Sequence, residues 1–254
     1  MTIIAVFNQK GGVGKTTTTL NIAAALARLE KRPLAIDLDP QAHLTLSFGL
    51  KVDNRDETIA AFYSEEKPLA SLVRELPDEV RLIPGHMELA KIDALYGKST
   101  SIASRLREGM QESLASEGNP ILIDCCPMLG VLSLNAIFAA DRVLIPVSAD
   151  YLSMQGVERL DAALTVLEKA LKRKVERKVV ITRFDSRRKF SHHVYDRLKE
   201  RYGHDLCETR IAENVSLAES PAHGKSIFEF APHSHGAMDY FALTAELVDT
   251  GFIL

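Results

Sequence analysis

The sequence has little cysteine, no long apolar run and no low-complexity tract. Its three cysteines, Cys125, Cys126 and Cys207, have no metal-ligating spacing, and they fit a reducing compartment. No stretch reaches the roughly 18 consecutive apolar residues of a membrane-spanning helix. The start, MTIIAVFNQKGG, lacks a basic leader before an apolar segment and a small-residue cleavage site. No secretory signal is read, and a cytoplasmic location is expected. No repeat or obvious linker divides the 254 residues, so one domain over 1–254 is expected. What the chain does contain is ordinary for a globular protein: 46% hydrophobic and 26% charged residues. That is enough apolar material for a core without disulfide or metal staples.

Charge is unevenly spread. The net charge is -3, yet residues 169–201 hold thirteen Lys and Arg against four Asp and Glu. A basic segment on an acidic body is a footprint for nucleic acid or anionic lipid, or simply a solvated helix face and loop. Five histidines, His192, His193, His223, His233 and His235, invite a metal reading. The HSH of 233–235 sits in a Pro-bounded stretch that reads better as a solvated loop.

Apolar runs at 2–7, 33–39, around Leu82, 121–125, 142–147 and 178–182 read as strands. Helical spacing covers 15–30, 101–115, 132–139, 153–171, 191–202 and 236–248. Residues 39–80 read as loops and short helices. Strands alternating with helices predict an α/β fold: a doubly wound, mostly parallel sheet with helices on both faces.

Residues 10–17 read KGGVGKTT, between the first strand and the first helix. The strand–loop–helix context is that of a P-loop NTPase fold. Gly11, Gly12, Val13 and Gly14 would let backbone N–H groups close around phosphate oxygens. The following helix points its positive end at the same anion. Lys15 supplies a cation for the β- and γ-phosphates, Thr16 a hydroxyl for Mg²⁺, and Thr17 continues the motif. The common GxxxxGK[ST] pattern needs glycine where this chain has Gln9, so the match is to a variant with an extra lysine, Lys10.

KGGVGKTT, IDLDPQAH (36–43) and ILIDCCP (121–127) together resemble the ParA/Soj/MinD family of deviant Walker-type ATPases. The resemblance runs nearly end to end and extends to DRVLIPVSADYLSMQGVERL (141–160) and ENVSLAESPAHGKSIFEF (213–230). It implies ATP and Mg²⁺ as cofactors and an ATP-dependent homodimer. Lys10 then matches the lysine that reaches the partner's nucleotide. Asp39 matches the residue that orients the attacking water, with Asp37 as a group behind the metal. Asp124 matches the Walker B aspartate, so Thr16, Asp39 and Asp124 surround Mg²⁺. Arg183 and Asn214 are carried over as contacts to the base. Cys126 stands where the family often has proline, and reads as a small apolar residue.

The same resemblance implies sequence-independent DNA binding through Arg187, Arg188 and Lys189, with Lys172, Arg173 and Lys174 beside them. Against it, AENVS stands where the family usually reads PRNVR, placing Glu213 and Ser216 at the arginine positions. The function implied is a partition or positioning ATPase released from the nucleoid when a ParB-like adaptor stimulates hydrolysis. Its cargo would be a chromosome, a plasmid or a protein cluster. A MinD-like membrane regulator is the alternative. It needs a cationic amphipathic C-terminal helix, whereas the chain ends LVDTGFIL with no Lys or Arg after Lys225, so no stable membrane anchoring is expected. An iron-protein relative would need two well-placed cluster cysteines per chain, which adjacent Cys125 and Cys126 do not provide.

Overall fold

The computed structural model describes residues 2–96, 102–114, 118–171 and 173–254. Among these residues seven strands form one sheet: β1 (Ile3–Val6), β2 (Leu34–Leu38), β3 (Arg74–Glu75), β4 (Arg81–Ile83), β5 (Ile121–Cys125), β6 (Arg142–Ser148) and β7 (Glu176–Thr182). Their order is β3-β4-β2-β5-β1-β6-β7. Every pairing is parallel except that of the short edge strand β3 with β4.

The helices are α1 (Lys15–Arg28), α2 (His43–Ser47), α3 (Ile59–Glu65), α4 (Leu89–Tyr96), α5 (Arg105–Ser113), α6 (Val131–Ala139), α7 (Tyr151–Leu171), α8 (Lys189–Tyr202), α9 (Val215–Glu219), α10 (Ile227–Phe230) and α11 (His235–Asp249). The helix expected over 101–115 is α5, and its expected ends, Ser101 and Ala115, lie outside the described residues. The short helices expected within 39–80 are α2 and α3. Three more, α4, α9 and α10, have too few turns for a 3.6-residue pattern to show.

Central strands are apolar throughout because both faces are covered. Along β1, Ile3 and Ala5 enter the core beneath α3–α8, while Ile4 and Val6 enter the core beneath α1 and α11. In β5, Ile121 and Ile123 take the first core and Leu122 the second. The C-terminal segment belongs to the second core: Tyr240, Leu243 and Leu247 of α11 are buried there, followed by Phe252 and Ile253. Among the described residues no helix is long and apolar enough to cross a membrane.

The arrangement places three strand ends side by side. β5 lies between β2 and β1, with Asp37 level with Asp124 and Val6 level with Asp124. The carboxyl ends of a parallel sheet are where such folds hold ligands.

Candidate functional site

The loop leaving β1 delivers the chain into α1 at Lys15. Gly12 and Gly14 have φ of +75° and +88°, a region only glycine enters freely. A Cβ at Gly11 or Gly12 would meet no atom within 4 Å, so the space in front of the loop is open. Asn8 anchors the loop's start, donating to the Pro146 carbonyl (2.8 Å) and accepting from the Lys10 amide (3.0 Å). Thr182, at the end of β7, donates to the Val13 carbonyl (2.9 Å). In front lies a cleft of about 730 Å³, bordered by Gly11, Gly12, Gly14 and Lys15 to Thr17 on one side. Asp39 to Gln41, Cys126 to Met128 and Arg183 face them.

Lys15 is 7% exposed and donates to the Lys10 carbonyl (3.0 Å). Burial pulls its ammonium below the ordinary lysine value, with the Asp124 carboxylate opposing. An anion in the cleft would relieve that cost. Thr16 donates to Asp124 (2.7 Å). Burial, and then the Asp37 carboxylate, push the Asp124 carboxyl well above its usual value. Thr16 and Asp39 border the cleft and Asp124 accepts from Thr16, so the donors available there are oxygens, a chemistry that fits Mg²⁺.

Asp37 does not face the cleft. It is fully buried, level with Asp124, and accepts from the Thr45 amide and hydroxyl, which ties it to the loop after β2. Burial lifts its carboxyl to about 6, against those hydrogen bonds.

Two buried carboxyls level with each other on neighbouring strands make Asp124→Asn informative. The asparagine oxygen can still accept from Thr16, while the buried charge is gone. The nucleotide-free variant is expected to melt about 2–6 °C higher at pH 7.5, because the cost of holding an ionisable carboxyl out of water beside Asp37 is removed. It should also lose Mg²⁺-dependent ATP binding. An unchanged or lower melting temperature would show that the carboxylate carries no such burden.

Lys10 is absent from the lining of its own cleft. Its ammonium pairs with Asp150 and bonds the Ser153 hydroxyl (2.8 Å) at the start of α7. Asp150 also caps that helix, accepting from the Ser153 amide (2.9 Å). Burial raises the Asp150 carboxyl, but the bonds from Lys10 and Ser153 outweigh it and bring it down to about 2. Neither partner was foreseen from sequence; the Asp-x-x-Ser of a helix cap was the available signal.

Arg183 and Asn214 do come together. They border a second cavity of about 320 Å³, which adjoins the loop at Gly14 and Thr17. Its other walls are mainly apolar, with Ile211, Val215, Ala218 and Tyr240 among them. Sequence reasoning did not single out these four, because apolar wall residues leave no motif. Asn214 caps α9 through its side-chain oxygen. Arg183 holds φ of +51°.

Among the described residues, the basic side chains lie at both ends of β7 rather than in one patch. Arg187 grips Asp185 with two bonds (2.9 and 3.0 Å) and is 88% exposed. Hydrogen bonding from Arg187 holds the Asp185 carboxyl at about 2. Arg188 pairs with Asp185 (3.2 Å) and Glu213 (3.6 Å), and exposed Lys189 opens α8. Arg173 and Lys174 precede β7 whereas Arg187 follows it, and a seven-residue strand separates its ends by about 20 Å. Arg173 donates to the Phe138 and Ala140 carbonyls (3.1 and 2.6 Å), which makes it a tether. Lys174 borders a hollow with Asp161, Glu168, Glu176 and Asp205. Lys172 lies outside the described residues.

The family model described as "AAA domain" matches residues 1–177. The chromosome partitioning protein ParA of Myxococcus xanthus is 36% identical over 250 residues, covering 97% of this chain and 87% of that protein. The chromosome-partitioning ATPase Soj of Thermus thermophilus is 37% identical over 247 residues, covering 96% and 94%. Among solved structures, cobyrinic acid a,c-diamide synthase from Mycobacterium smegmatis with a bound ATP analog and magnesium superposes with a TM-score of 0.84. It is 26% identical, over 99% of this chain and 96% of that one.

Proposed function

From the premise that the chain belongs to the ParA/Soj family of Mg²⁺-dependent partition and positioning ATPases, we propose that it is a single-domain switch over 1–254 that closes into an ATP-sandwich homodimer. The observation that carries this reading is the pair of lysines flanking one glycine loop. Lys15 is buried against the phosphate site, and Lys10 is held outside it on Asp150 and Ser153.

The backbone amides of 11–16 and the Lys15 ammonium bind the phosphates. The apolar cavity at Arg183 and Asn214 takes the base. Thr16, Asp39 and Asp124 would hold Mg²⁺, which when bound neutralises phosphate charge. Asp39 orients the attacking water by accepting its proton-bearing bond. Lys10 leaves Asp150 to reach the partner's nucleotide. Because its target is the γ-phosphate, the dimer depends on ATP rather than ADP.

The dimer then binds DNA without sequence preference through Arg187, Arg188 and Lys189, and a ParB-like adaptor releases it by stimulating hydrolysis. This makes it a nucleoid-associated positioning protein in the cytoplasm. Burial of Phe252 and Ile253 favours this over a membrane-bound relative, since that segment is packed rather than free to lie on lipid.

The test is DNA co-sedimentation of Asp39→Ala with ATP and with ADP across a salt series. This variant is expected to bind ATP and stay dimeric. Three cations per protomer reach at most about six phosphates per dimer, so log affinity should fall against log salt with a slope no steeper than about -5. Partial neutralisation by Asp185 and Glu213 makes it shallower. Arg187→Ala should weaken binding on every sequence alike. Binding indifferent to nucleotide, or none by an intact ATP dimer, would overturn the DNA step. Rapid turnover by Asp39→Ala would overturn the role given to that residue.

A further inference from the structure

The segment that carries Asp39 is fastened at both ends by one buried carboxylate. Asp37 accepts from the Asp39 amide (3.2 Å) at the start of the loop, and from the Thr45 amide (2.8 Å) and hydroxyl (2.6 Å) at its end. Between them Asp39, Pro40, Gln41 and His43 border the cleft. The closed loop is strained: Ala42 sits at φ +51°, ψ +33°, a left-handed conformation costing a non-glycine residue roughly 1–2 kcal/mol. Strain of this kind persists only where surrounding bonds impose it.

Thr45 supplies the bond that reaches furthest. It is 2% exposed, and its hydroxyl accepts from the Gly85 amide (2.9 Å) while donating to Asp37. Gly85 follows β4, on the far side of β2 from β5. A Cβ there would lie 2.8 Å from the Asp37 carboxyl carbon, so only glycine lets the amide come this near. The hydroxyl therefore has both roles satisfied in one fixed orientation, within a junction of β2, α2 and the loop after β4.

We infer that Thr45 is a positioning residue for ATP hydrolysis, its hydroxyl holding the Asp39 loop closed over the cleft. This rests on the proposed role of Asp39, which the experiment checks separately. Thr45→Val keeps the shape and the backbone bond but removes the hydroxyl. It leaves the Gly85 amide and one Asp37 oxygen short of a partner. Single-turnover hydrolysis is expected to fall about 10-fold, while the Kd for ATP stays within about threefold. Thr45→Ser, which restores the hydroxyl, should return the rate to within about twofold.

In an Asp39→Ala background, Thr45→Val should slow hydrolysis no further, because both act through one carboxylate. Should the valine variant fail to fold, Thr45→Cys carries the same test and should give an intermediate rate. A valine variant with an undiminished rate, a serine variant as slow as valine, or an additive double variant would overturn the inference. An Asp39→Ala protein that still hydrolyses ATP normally would instead refute the role of Asp39.

Discussion

Lys15→Ala is expected to weaken ATP binding by about a thousandfold while leaving the fold intact. Removing one partner of a desolvated charge pair costs roughly 2–5 kcal/mol, and each 1.4 kcal/mol is tenfold in affinity. Lys15 is suited to that upper range because it is already withdrawn from water at 7% exposure. Its burial holds the ammonium below its ordinary value in the nucleotide-free protein, so the charge is waiting for an anion. Its bond to the Lys10 carbonyl is weak compensation, and the empty protein loses little when it goes. Titration with a fluorescent ATP analogue, beside a melting curve, separates the two effects. An affinity within tenfold of the parent would remove Lys15 from the phosphate site. A collapse of the melting temperature would make it a structural residue instead.

The parts of this site that were readable in the sequence are those where backbone geometry or charge demands a residue type. Glycines at positive φ, a lysine at a helix start and acids ending apolar strands have few substitutes, so KGGVGKTT, Asp39 and Asp124 stood out. The long strands and helices were readable for a similar reason, since two buried faces require apolar runs. For Asp37 the sequence shows only that it shares a side with Asp39. It cannot show that α2 brings Thr45 back to claim its carboxylate. The basic run is divided in space. Its cations find Asp161, Glu168 and Glu213 from elsewhere in the chain, and β7 divides it into two ends. Sequence proximity therefore overstated the local charge. The second cavity was silent because Ile211, Val215 and Ala218 look like any core residues.

Lys10→Ala should separate nucleotide binding from dimerisation. The side chain stands outside its own cleft, so its loss is expected to change the Kd for ATP by less than about tenfold. What the proposed dimer would lose is the cation offered to a second molecule. In the isolated chain that cation is stabilised by Asp150 and Ser153. At 28% and 44% exposure for Lys10 and Asp150, such a pair is worth at most about 1 kcal/mol. The lysine can therefore be drawn off by a γ-phosphate, whose desolvated charge offers more. Light scattering should show a dimer for the parent with ATP and a monomer for Lys10→Ala with either nucleotide. Mixing makes the test sharper. Lys10→Ala binds nucleotide but offers no lysine, and Lys15→Ala offers a lysine but binds no nucleotide. Each is expected to be inactive alone. Together they form one complete site per dimer, and hydrolysis should return in part. Recovery would require the lysine to act across the interface. Two inactive partners that remain inactive together, although a mixed dimer forms, would confine Lys10 to its own chain.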